Sequence, residues 1–181
     1  MDDLLKQLKQ RLTAYLTEVA NAPTEIHHAQ PIAGGASRDT WLIDATIASE
    51  QQKLILRRDL PTVMYDQALT REQEYRFIDA AYQNGVLAPR PRFFCTDASV
   101  LGEPFFIMDY VEGISIGRKV IQMPELAQAR AVLPLQMAQQ LAKIHAIDAQ
   151  QYALDFLPRP QDGQSPAQQA LAQARAMLDK L

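Results

Sequence analysis

The chain has 181 residues, 48% of them apolar and 22% charged, with a net charge of −3 and an isoelectric point near 5.6. That balance excludes a disordered chain, and with no Lys/Arg block it argues against nucleic-acid binding. The lone cysteine, Cys95, has no internal disulfide partner, and the three histidines offer no zinc cluster.

The N-terminus, MDDLLKQLKQ, lacks the basic start and apolar run of a secretory signal. No apolar stretch approaches the roughly 20 residues of a membrane span, so a cytoplasmic protein without a membrane partner is expected. Residues 2–20 carry Leu5, Leu8, Leu12, Leu16 and Val19 at helical spacing and predict an amphipathic helix, closed by Asn21-Ala22-Pro23. Three strand-like runs follow: Ile26–Ala33, Thr40–Ala48 and Lys53–Arg57. Their connections, through Gly34-Gly35 and through Ser49–Gln52, are too short for a parallel crossover and predict an antiparallel meander. A helix is predicted over 66–84, stopped by Asn84-Gly85. Pro89 and Pro91 then impose an extended segment, and Arg92–Cys95 and Pro104–Val111 read as two more strands joined by an Asp97–Glu103 turn. From Pro124 the chain reads as helical, with Leu133, Met137, Leu141 and Ile144 in one stripe. Ser165-Pro166 suits the cap and first residue of a last helix. The order is α+β with a helical second part beginning near 113.

Four segments bear on chemistry, each with a plainer reading beside it. Gly34-Gly35 with Ser37 could form a nest of N–H groups for phosphate oxygens, or simply a hairpin turn. Arg57 and Arg58 alternate faces at a strand end, so one could reach a polyphosphate, or both could be solvated charges. Glu72 and Glu74 could supply the carboxylate that a half-buried arginine needs, or lie on a mixed-charge surface. Residues 104–113 form an apolar strand running into Gly113. Its end could offer backbone groups to an adenine edge, with Ile107 and Met108 as walls, or it could be an ordinary core strand.

Taken in order, these segments resemble the N-lobe of protein-kinase-like small-molecule kinases. The phrases GGASRDTWLI, LILRRDLP, REQEYRFIDAAYQNGVLAPRP, LGEPFFIMDYVEGISIGRK and LAKIHAID cover about residues 26–148. They resemble most the aminoglycoside-phosphotransferase (APH) family, in a branch that also occurs as the kinase-like N-terminal part of some acyl-CoA dehydrogenases. The resemblance implies an α+β fold with three parts: an N-terminal helix at 1–22, a nucleotide-binding N-lobe of five antiparallel strands plus a helix at 23–112, and a hinge with an incomplete helical C-lobe at 113–181. It assigns Gly34, Gly35 and Ser37 to the phosphate-covering loop and Arg57 to the position usually held by lysine. It makes Glu74, preferred to Glu72, the partner of Arg57. It places Met108, Asp109 and Val111 beside adenine and gives His145 a structural role. The implied cofactor is ATP, with magnesium in the intact family, and the implied substrate a small-molecule hydroxyl acceptor.

Phosphoryl transfer also needs a carboxylate near the acceptor and oxygen ligands for magnesium. The family's His-Gly-Asp catalytic loop is not in this sequence: its histidines are His27, His28 and His145, and no asparagine follows Asn84. No catalytic residue or metal ligand is therefore assigned. The expectation is the N-terminal part of an ATP-dependent phosphotransferase, inactive alone, from a fragment or interrupted frame of a longer kinase. The alternatives are a non-catalytic module that binds nucleotide, or a partner or second copy through its incomplete C-lobe, and an unrelated α+β binding domain.

Overall fold

The computed structural model describes residues 2–32, 39–59, 69–160 and 163–179. The chain divides into two compact units, Met1–Asp148 and Ala149–Leu181.

The first unit opens with helix α1, Asp2–Val19. Its leucine stripe does what its spacing predicts: Leu8, Leu12 and Leu16 are buried against the sheet. Each contributes about 1.5–3 kcal/mol. Val19, expected in the same stripe, is exposed instead, because the helix ends there. Asn21 takes a left-handed φ of 48°, and Ala22 N–H closes back on the Thr17 carbonyl. This is the helix end that Asn tolerates and the following Pro23 enforces.

Strands β1 (Thr24–Pro31), β2 (Asp39–Ile47), β3 (Glu50–Arg58), β4 (Pro91–Cys95) and β5 (Phe105–Asp109) form one antiparallel sheet in the order β1-β2-β3-β5-β4. The β2–β3 turn is tighter than the sequence suggests. Ala48 and Ser49 alone make it, at φ 50° and 73°, and β3 begins at Glu50. A two-residue hairpin with both residues left-handed matches the strand twist, and that gain outweighs the missing Asn-Gly.

Alternation sorts the sheet faces. Ile43, Ala45, Ile47, Leu54, Leu56, Phe105 and Ile107 point to the α1 side and form the core with Ile26, Ala29 and Cys95. The opposite face carries Ile55, Arg57, Phe106 and Met108. Helix α2, Arg71–Gln83, contributes to that side: Tyr75 stacks on Phe94 with ring centroids 5.3 Å apart and meets Phe106 edge-on at 6.0 Å. A reciprocal cap starts α2, with Thr70 accepting from Gln73 N–H while the Gln73 side chain accepts from Thr70 N–H. At its other end Asn84 caps the helix, Gly85 turns left-handed and Val86 N–H closes on the Ala81 carbonyl. The connection between β4 and β5 contains a one-turn helix, α3 (Ala98–Leu101), capped by Asp97 where a plain turn was expected.

After the sheet come α4 (Gly117–Gln122), a 3-10 turn (Pro124–Leu126) and α5 (Ala127–His145). Two hydrogen bonds tie α5 to the segment after α2: Leu87 N–H donates to Gln140 Oε1 at 2.9 Å, and Lys143 Nζ donates to the Gly85 carbonyl at 2.6 Å. The predicted stripe of α5 is helical but solvent-facing, with Leu133, Met137, Leu141 and Ile144 all exposed. In the second unit, α6 (Pro166–Leu178) starts with Ser165 as cap and Pro166 at its first position, as the sequence suggests. Among the described residues no helix is long and apolar enough to cross a membrane.

Candidate functional site

Arg57 sits at the loop end of β3, opposite Thr40 of β2 and Phe106 of β5. Its guanidinium Nη2 lies 2.8 Å from Glu74 Oε1 on α2, and both side chains are largely buried. Glu74 reaches it because α2 begins only three residues earlier, so its first turn stands beside the end of β3. Glu72 goes elsewhere, pairing with Arg76 one turn along the exposed face of α2.

Glu74 serves two arginines. Its other oxygen, Oε2, meets Arg71 Nη1. Arg71 is the one charged residue among the buried side chains described, with 0% exposure. It also donates through Nε to Asp59 Oδ1 at 2.8 Å and through Nη2 to the Leu69 carbonyl at 3.2 Å, and its guanidinium lies 6.0 Å from the Phe106 ring centre. The chain of charges Arg57–Glu74–Arg71–Asp59 thus balances two cations with two carboxylates. A buried arginine needs such matching, since an unpaired charge there costs several kcal/mol. Neither Arg71 nor Asp59 was singled out from sequence. The readable signal was the three-residue spacing of Arg71 and Glu74 at a helix start, where such side chains meet.

Arg58, next along β3, points to the α1 face. It clasps Asp39 through Nε at 2.9 Å and Nη2 at 2.5 Å, and gives Nη1 to the Leu101 carbonyl at 2.6 Å. Asp39 accepts in addition from Trp41 Nε1 at 2.7 Å. These bonds fasten the first residue of β2 to the last of β3, at the stem of the loop that joins β1 to β2.

Gly34, Gly35 and Ser37, expected to cover phosphate, lie outside the described residues. The loop's stems are described: Ile32 N–H donates to the Thr40 carbonyl at 2.8 Å, and Pro31 pairs with Trp41.

At the far end of β5, Met108 is half-buried on the same face as Arg57 and Ile55. Ile107, read as a second wall for adenine, is instead 1% exposed in the core on the α1 side, because adjacent strand residues alternate. Asp109 has its N–H committed to the Arg90 carbonyl at 2.9 Å and its carboxylate to Arg92 at 3.0 Å. Val111 is 65% exposed just past the strand, and among the described residues its N–H has no protein acceptor. The structure thus brings Arg57 and Glu74 into contact and lines Met108 up on their face. His145 is exposed in the last turn of α5.

The profile of the phosphotransferase enzyme family, APH, matches residues 28–181. The chain belongs to that family. The fold is shared with a solved structure as well. A crystal structure from Ralstonia eutropha, provisionally named an aminoglycoside phosphotransferase, superposes with a TM-score of 0.61 at 23% identity, covering 84% of this chain and 42% of that one. Among curated proteins, acyl-CoA dehydrogenase family member 10 of Mus musculus is 32% identical over 129 residues, 71% of this chain and 12% of its own length. Family member 11 of the same organism is 24% identical over 152 residues, 83% of this chain and 19% of its own length. The chain therefore spans less than a fifth of either relative.

Proposed function

We propose that this phosphotransferase-family chain is the nucleotide-binding part of an ATP-dependent kinase acting on a small-molecule hydroxyl. The observation that carries the reading is the Arg57–Glu74 pair at the loop end of β3. A guanidinium braced by a helix carboxylate keeps its direction without being swallowed by it, since Glu74 divides its charge between two arginines. Arg57 retains 27% side-chain exposure, enough for a phosphate oxygen to approach. Arginine in place of lysine presents a planar fork that suits two phosphate oxygens at once. Val111 N–H, exposed and without a protein acceptor among the described residues, is available to the adenine edge, and Met108 offers an apolar surface.

ATP would supply the transferable phosphoryl group. The residues of this chain hold and orient it. Magnesium, which the family's reaction uses, would come bound to the nucleotide phosphates. With no His-Gly-Asp segment in its 181 residues, the chain by itself is expected to bind nucleotide without turnover.

Titration calorimetry with ATP and magnesium tests this. Arg57→Ala should weaken binding at least about tenfold, a loss of about 1.4 kcal/mol. Unaltered affinity in a folded Arg57→Ala protein would remove the reading. A second reading, a non-catalytic interaction module, draws on the exposed apolar residues of α5 and α6. It expects a dimer by light scattering and no thermal shift with nucleotide.

A further inference from the structure

A cavity of about 420 Å³ lies on the α1 side of the sheet, at the end where β1 and β2 meet their connecting loop. Its size falls in the range of roughly 300–1,000 Å³ that holds small organic molecules. It is on the opposite face from Arg57, for its lining residue Trp41 pairs with Leu56 and shares the core face. Leu5, Leu8, Trp41 and Leu101 form apolar walls, and Leu4, 73% exposed, stands at the opening.

Two guanidiniums also line it. Arg58 is already matched by Asp39 and the Leu101 carbonyl. Arg11, exposed on α1, has no carboxylate partner among the described residues. No acidic side chain lines the cavity among the described residues. Of the two lining cations, Arg11 is the one left open to a ligand, at the edge of an apolar interior. An alkylammonium would meet like charge there, whereas an anion with an apolar body satisfies both parts.

We infer that this cavity binds an amphipathic carboxylate, its aliphatic body among Leu5, Leu8 and Trp41 and its carboxylate at Arg11. The site uses none of Arg57, Glu74 or Val111, so it stands or falls apart from nucleotide binding.

Trp41 is the chain's single tryptophan, which makes its emission a direct reporter. Octanoate titrated into the full chain should change that emission saturably. Arg11→Gln removes the charge, and Leu4→Asp sets a carboxylate at the opening. Both positions are exposed, and circular dichroism should match the parent protein. Each substitution should weaken octanoate by at least about fivefold, and octan-1-ol should bind less tightly than octanoate. The site is overturned by an unsaturable or absent response in the parent protein, by unchanged affinity in either variant, or by octan-1-ol binding as tightly as octanoate.

Discussion

At the scale of residues, one carboxylate organises the candidate site. Glu74 holds Arg57 toward the loop end of β3 and Arg71 in the interior. The two arginines should respond differently to removal. Arg71→Ala strips a fully buried charge from Glu74 and Asp59 and should cost about 3–5 kcal/mol in urea unfolding. Arg57→Ala, at a partly exposed position, should cost at most about 1 kcal/mol while losing nucleotide affinity. Equal losses of stability would show that Arg57 is structural. The residues alone left Arg57 and Arg58 open, and only the resemblance to the phosphotransferase family pointed to Arg57. Arg71 was not legible, because an arginine in a helix's first turn is usually a surface residue, and only the neighbouring acids reveal that it is inside.

At the scale of elements, most of the sheet and helices follow from periodicity and punctuation. The exceptions are local. The β2–β3 turn closes on Ala48 and Ser49, both left-handed, although neither favours that region. Relieving one of them should help: Ser49→Gly is expected to stabilise by about 0.5–1 kcal/mol, read as a higher urea midpoint. The start of α2 rests on Thr70, whose hydroxyl accepts from Gln73 N–H. Thr70→Ala should cost about 0.5–2 kcal/mol and, by loosening the turn that carries Glu74, weaken nucleotide binding as well. A stability loss with unchanged affinity would separate the cap from the site. The sequence expectation began this helix at 66, whereas the described helix starts at Arg71 behind the Thr70 cap, and packing decided which side chain that cap positions.

At the scale of the molecule, α1 is joined to the far edge of the sheet through two groups that titrate above neutrality. Tyr15 donates to the Phe94 carbonyl at 3.2 Å and stands edge-on to Phe105, while Cys95 is buried beside it. Burial, reinforced by the neighbouring Cys95, pushes the Tyr15 phenol well above its ordinary value. Burial likewise raises the Cys95 thiol. Both are acids held neutral by folding, so over the range where only the unfolded chain loses protons, the folded state binds more of them. Stability should therefore fall as pH climbs through the unfolded thiol near about 8.5 and the unfolded phenol near about 10. Urea midpoints measured across that range should decline, and Tyr15→Phe should flatten the upper part. A flat profile in the parent protein would contradict the coupling. Cys95 should also resist alkylation until the chain unfolds.

The sequence by itself determined the class of fold, the order of the sheet strands and main helices, and the ends of those helices marked by Asn84-Gly85 and Ser165-Pro166. Those properties are written in short-range patterns: apolar period, and glycine and proline positions. Tertiary structure alone decided that Glu74 is shared between Arg57 and Arg71, that Arg71 lies inside, that Ile107 belongs to the core, and that a cavity opens between α1 and the sheet. Each of these depends on which faces of distant segments are pressed together, and side-chain packing across the sheet sets that without leaving a mark in any local stretch of residues.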